Sequence, residues 1–316
     1  LLDDIPFERE DFMRNQRLTL TDLCTCIVML ALLSTTFLAA RHLVDESQSR
    51  KQCASNMRQI GQACLLYANE NKGAYPRTIY KPADAKKPTW GTPYEKSKDL
   101  GASEKADPFC ADDNAEAIKY RPAANDVSSA FFLLMRTQDI ISDVFICPST
   151  NREKFDFGGG ANTALSWTNW PGNNGLAEHL SYSYQNPYPS QAAIDKGFKL
   201  NFAIPANFAI ASDMNPGGNA LTKIATDTPL EQQADGNSRN HQGDGQNVLY
   251  ADGHVTFQTT PLCGMKDENI FTYGDSGTDS PKKGGDGVVG PPAGPDDSIL
   301  LPTAQDIGAG KADPAK

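Results

Sequence analysis

Residues 23–40 read LCTCIVMLALLSTTFLAA, eighteen positions without Asp, Glu, Lys, Arg or His. As a helix, such a run rises about 1.5 Å per residue, roughly 27 Å in all, close to the thickness of a bilayer's hydrocarbon core. It exceeds the apolar core of a signal peptide, about 7–15 residues, and no small-x-small cleavage site with a break in composition follows it. The run is therefore expected to be a retained single-span anchor. Charge does not orient it, because Arg9, Arg14 and Arg17 precede it while Arg41, Arg50 and Lys51 follow it. The short arm is expected inside and the long domain across the membrane.

Working outward, the run flows without a Pro or Gly into an amphipathic stretch that ends near Tyr67. Cys53, Met57, Ile60, Cys64 and Tyr67 recur at helical spacing and trace one apolar stripe, with Arg50, Lys51, Arg58 and Glu70 mostly on the other side. Asn71, Lys72 and Gly73 supply a C-terminal cap with Gly in the left-handed position, and Pro76 prevents resumption. Asn125 or Asp126 caps a second helix over about 127–139. Residues 144–147 (VFIC) read as a short buried strand stopped by Pro148. Residues 149–178 read as a long surface loop in which Trp167 and Trp170 either form a sugar platform or pack down. Residues 181–184 and 207–211 read as strands. Residues 247–257 (NVLYADGHVTF) are the clearest hairpin, because Asp252-Gly253 between β-rich runs suits a tight twist-matched turn. After about residue 266 the chain is rich in Gly, Asp, Ser and Pro, and Ile299, Leu300 and Leu301 are the apolar cluster that would pin it back.

The chain has 316 residues and a net charge of −10, which argues against a nucleic-acid partner. Of seven cysteines, Cys24 and Cys26 lie in the apolar run, and Cys53, Cys64, Cys110, Cys147 and Cys263 lie beyond it. That odd number leaves at least one unpaired or intermolecular. No C-x-x-C occurs, which argues against a zinc ribbon. Cys110–Cys147 is the preferred disulfide, although spacing does not fix connectivity.

Residues 18–23 (LTLTDL) resemble the start of the type IV pilin and pseudopilin segment. Residues 53–63 (CASNMRQIGQA), 144–149 (VFICPS), 181–185 (SYSYQ), 211–216 (ASDMNP) and 240–257 are similar to pilin-like families of planctomycete-type bacteria. The last block resembles their H-x9-DG motif, carried here by His241, Asp252 and Gly253, with ten residues between His241 and Asp252 instead of nine. The resemblance implies an α+β fold in which a long N-terminal helix, half transmembrane and half amphipathic, packs on an antiparallel β-sheet head. It implies an arm over 1–17, a transmembrane segment over 18–40, its continuation over 41–73, a head over 74–265 and a tail over 266–316. The implied location is the bacterial cytoplasmic membrane, single-pass with an extracytoplasmic head, or a periplasmic or extracellular filament.

One departure bears on processing. Arg17 stands where the family's peptidase requires Gly, and Leu18 replaces Phe, so the arm is expected to be retained. Asp22 falls at the family's buried acidic position. There it either pairs with a neighbouring subunit's amine or sits hydrated near the interface, since a carboxylate in hydrocarbon costs several kcal/mol. Asp22, Leu23, Leu30, Leu33 and Phe37 are the expected anchor and assembly residues.

Catalysis is not expected. H-E-x-x-H, G-x-S-x-G, P-loop and dinucleotide signatures are all lacking. His241, Asp244, Asp252 and His254 read as turn and strand residues before they read as a metal or hydrolase cluster. No cofactor is expected, with Ca²⁺ on Asp275, Asp279 and Asp286 as the alternative. The expected function is a non-enzymatic subunit of a pilus-like, pseudopilus-like or surface assembly. Its partners would be its own copies, related subunits and the lipid bilayer. The alternative is a monomeric, membrane-tethered binding module for a glycan or protein.

Overall fold

The computed structural model describes residues 20–91, 109, 120–274 and 286–308; the side chains of 22, 35–44 and 173 lie outside that description. The first helix, α1, is Leu20–Glu70. The chain divides into two compact units, Leu1–Ser47 and Gln48–Lys316.

In the first unit the described apolar side chains of α1 face solvent. Leu20, Leu23, Ile27, Val28, Met29, Leu30, Leu32 and Leu33 are between 52% and 78% exposed. Among the described residues, no helix is long and apolar enough to cross a membrane. This corrects the expected transmembrane half of the helix, and with it the pilin-like fold, the single-pass anchor and the cytoplasmic-membrane location. Apart from α1 the described helices are short, the longest having eleven residues.

The second unit is α+β. Its helices after α1 are α2 (Val127–Thr137), α3 (Gly172–His179), α4 (Gln191–Asp195) and α5 (Leu230–Ala234). Its strands are β1 (Tyr182–Gln185), β2 (Ala209–Asp213), β3 (Gln246–Tyr250), β4 (Val255–Gln258) and β5 (Leu300–Leu301). They form one antiparallel sheet in the order β4-β3-β2-β1-β5. Tyr182 pairs with Asp213, Ser212 with Val248, and Tyr184 with Leu301.

Both faces of the sheet are covered, so the inner strands are buried at every position. Tyr182, Tyr184, Ile210, Leu249 and Leu301 join a core with Cys53, Met57, Ile60 and Cys64 of α1 and with Phe131 and Leu134 of α2. Ala209, Val248, Tyr250 and Leu300 join a second core with Leu221, Ile224, Ile270 and Phe271. Strand alternation sends Val248 and Tyr250 to one side and Leu249 to the other. The register shift between Ala209 and Ala211 places Ile210 and Ala211 in the same core.

The amphipathic stripe of α1 is buried as expected, from Cys53 at 0% to Cys64 at 1% exposure. The helix ends through Lys72 (φ 54°) and Gly73 (φ 85°), with the Gly73 N–H donating to the Ala68 carbonyl at 2.7 Å. Glycine is required there twice over, since a Cβ would also strike the Phe202 ring. Helix α2 starts on Asp126, whose Oδ1 accepts the Ser129 N–H and the Ser128 hydroxyl, both at 2.8 Å, while Oδ2 accepts from the Asn169 amide at 3.1 Å. Leu300 and Leu301 pin the tail back as the edge strand β5, fully buried.

Two local readings change. Residues 144–147 are not a strand. Ser142–Phe145 is a 3-10 turn, with the Ile146 N–H bonded to the Asp143 carbonyl at 3.2 Å. Pro148 has no N–H with which to extend a ladder, and the Phe145 carbonyl is taken by the Ser181 N–H at 2.9 Å. Residues 149–178 are not a surface loop throughout, because they hold a 3-10 turn (Ala164–Ser166) and α3. Trp170 is fully buried, edge-on to Phe132 at 5.1 Å and to Phe145 at 5.5 Å, and Trp167 is 7% exposed.

Replacing Asp126 by Ala removes a helix cap and strands buried donors on Ser128 and Asn169. Urea unfolding should show a loss of about 2–4 kcal/mol, with Asp126→Asn losing less.

Candidate functional site

The most developed polar arrangement lies where the ends of β1, β2 and β3 meet α1. Asp213 ends β2 and is fully buried. Its Oδ2 accepts the Asn247 backbone N–H at 2.6 Å and the Asn247 side-chain amide at 3.3 Å, and its Oδ1 accepts the Asn240 amide at 3.0 Å. Asn240 also donates to the Ser181 carbonyl at 2.7 Å, which fixes the 237–245 loop against β1. That loop turns through Gln242 (φ 60°) and Gly243 (φ 81°) and delivers His241 to the cluster at 0% exposure.

The His241 Nε2 lies 3.2 Å from Asp213 Oδ2 and 3.7 Å from Cys147 Sγ, and its Nδ1 lies 3.0 Å from Ser149 Oγ. An ionised carboxylate only accepts, so the arrangement favours a proton on Nε2 donated to Asp213, with the Ser149 hydroxyl donating to Nδ1. Cys147 is disulfide-bonded to Cys53 of α1, with Cα atoms 5.3 Å apart and a separation of 94 positions in sequence. This corrects the expected Cys110–Cys147 pair: the turn at 142–148 brings Cys147 beneath α1, and Cys110 lies outside the described residues. The Tyr182 hydroxyl lies 3.3 Å from Cys53 Sγ and 3.2 Å from the Ile146 carbonyl. Burial, reinforced by the Asp213 charge, holds that phenol well above its ordinary pKa.

Cys53, Cys147, Asp213 and His241 each offer one ligand atom, and these atoms lie within 4.8 Å of one another. A buried Cys/Asp/His cluster of this composition has the donor set to hold a metal ion.

The motif residues separate. Asp252 and Gly253 (φ 88°) form the β3–β4 turn, where the Gly253 N–H donates to the Tyr250 carbonyl at 2.9 Å. Asp252 accepts from the His254 backbone N–H at 3.0 Å and pairs with the His254 ring; the backbone bond leads in lowering its pKa. Asp244 pairs with Arg50, whose guanidinium lies 4.5 Å from the centre of the Phe257 ring. His179 Nδ1 lies 2.8 Å from the Glu153 carbonyl.

Of the assembly residues, Leu23, Leu30 and Leu33 are exposed. The side chains of Asp22 and Phe37 are not described, and Arg17 and Leu18 lie outside the described residues. Asp275 and Asp279 also lie outside them, while Asp286 is exposed beside Gly274.

The acidic chemistry visible near the tail belongs instead to Asp297 and Glu268, both buried. Asp297 accepts the Gly274 and Ala293 backbone N–H groups. The Glu268 Oε1 accepts the Ser298 N–H at 2.6 Å. Burial, then the neighbouring Asp297 charge, pushes the Glu268 carboxyl well above its ordinary range.

Sequence reasoning missed Asp213, Asn240, Asn247 and Ser149 as members of the site. Asp213 and Ser149 stood inside patches already singled out, ASDMNP and VFICPS, and Asn240 and Asn247 bracket His241 closely. A polar residue interrupting an apolar strand next to a buried histidine loop is the signal that was available.

Asp213→Ala strands the Asn247 N–H and the Asn240 amide, and urea unfolding should show a loss of about 2–4 kcal/mol. Glu268 titrates the other way from a salt-bridged carboxylate. Its raised folded pKa gives stability that is full below the unfolded value near 4.5 and is lost as pH rises through the folded value. Calorimetry from pH 4.5 upward should therefore show wild type losing Tm relative to Glu268→Gln.

Compared with family models, with curated proteins and with solved structures, the chain matches none.

Proposed function

We propose that this chain is a non-enzymatic structural subunit that assembles with copies of itself through residues 20–34 of α1. The observation that carries this reading is the run of eight large apolar side chains there, each more than half exposed. Burying one such side chain is worth about 1.5–3 kcal/mol, so a contiguous set of them favours association strongly. The resemblance of residues 18–23 to a pilin-type segment supports a pilus-like, pseudopilus-like or surface assembly as its form.

The second unit supports the same reading by its chemistry. His241 and Asp213 are fully buried and spend their hydrogen-bonding capacity on the protein itself. Such groups brace a fold rather than meet a substrate. No cofactor is required for assembly, and calcium on Asp275, Asp279 and Asp286 is not part of the reading. The rival, a monomeric binding module using residues 149–178, loses its aromatic platform because Trp167 and Trp170 are packed inside.

Sedimentation velocity on the full chain should show oligomers well above the 34.2 kDa protomer. The Leu30→Lys/Leu33→Lys variant should sediment as a folded monomer. A monomeric wild type, or a variant that assembles as wild type does, would overturn the proposal.

A further inference from the structure

We propose that the reduced protein binds one zinc ion through Cys53 Sγ, Cys147 Sγ, His241 Nε2 and Asp213 Oδ2, so that disulfide and metal are alternative states of one site. Zinc–ligand bonds of about 2.0–2.3 Å place tetrahedral donors roughly 3.3–3.8 Å apart. His241 Nε2 already lies 3.7 Å from Cys147 Sγ and 3.2 Å from Asp213 Oδ2. All four donor atoms fall within 4.8 Å of one another, so the two sulfurs must part and the wider donor pairs draw in. Two thiolates, an imidazole and a carboxylate suit a borderline-soft divalent cation and not calcium, which takes oxygen ligands.

The surroundings also fit. A metal on Nε2 moves the imidazole proton to Nδ1, where Ser149 Oγ at 3.0 Å accepts it. Asn240 holds the second oxygen of Asp213 at 3.0 Å. Outer contacts of this kind fix a ligand's orientation and tautomer. Pro148 and Gln242, next in sequence to two of the ligands, are exposed, so the site lies just beneath the surface.

The chemistry balances with a trialkylphosphine as reductant. The phosphine takes the oxygen of one water and becomes its oxide, the S–S bond breaks, and each sulfur gains one hydrogen. Zinc then displaces both thiol protons to solvent. Reoxidation by an added disulfide would expel the ion.

The test uses the full chain, reduced anaerobically with a phosphine that is then removed, and titrated with Zn²⁺ and separately with Co²⁺. Reduced wild type should take up one equivalent of zinc, show a sulfur-to-cobalt charge-transfer band with Co²⁺, and gain Tm on zinc addition. The oxidised protein should do none of these. Cys147→Ser and His241→Ala should each weaken zinc binding at least 100-fold, and Ser149→Ala about 10-fold. A Cys24→Ser/Cys26→Ser/Cys64→Ser variant should bind as wild type does, which excludes those three thiols as ligands. Reduced wild type that takes up no zinc, folded or unfolded, overturns the proposal. So does equal uptake by the oxidised protein, or loss of uptake in the triple variant.

Discussion

A carboxylate buried without solvent has to be surrounded by donors, and Asp213 organises the second unit by recruiting them. Its two oxygens draw the backbone of β3, the Asn240 loop and the His241 ring to the end of β2. Asn240 in turn fastens the same loop to β1 through the Ser181 carbonyl. The loop between α5 and β3 cannot move without unpairing several buried groups, each costing about 1–3 kcal/mol. The Cys53–Cys147 bond adds a covalent tie from α1 to the same place. Three strands, one helix and one loop are therefore registered against each other at one point.

The apolar packing follows from that registration. With the sheet covered on both sides, Tyr184 stacks on Phe131 at 5.0 Å, and Phe131 meets Phe145 edge-on at 5.0 Å. Trp170 closes the set against Phe132 and Phe145. The second core holds the chain's C-terminal half to the opposite face through Leu300, Phe271 and Tyr250. A short strand such as β5 is stable there because both of its side chains are fully buried. The two units divide the physical roles. One presents apolar surface that water penalises, and the other keeps its polar chemistry inside.

Much of the second unit was legible in local pattern. The stripe from Cys53 to Cys64 announces a buried helix face, Gly73 announces its end, and Asp252-Gly253 announces the hairpin, because each depends on neighbours a few residues away. Residues 144–147 misled because four apolar positions before a proline fit a strand and a tight turn equally well. The aromatic loop misled because whether Trp167 and Trp170 face solvent depends on α2 and the 142–145 turn. The disulfide was mispaired because Cys53 and Cys147 are 94 residues apart in sequence, and no local rule reaches that far.

By itself, the amino-acid sequence determined the helical stripes, caps, turns and the apolar run near the start, since these follow from spacing and backbone preference. Tertiary structure alone decided which polar residues share a buried site. Asp213, His241, Cys53 and Cys147 meet only because strand pairing and helix packing close the long separations between them. Four short-range chemistries become one cluster when the chain folds, and nothing in their individual neighbourhoods specifies that meeting.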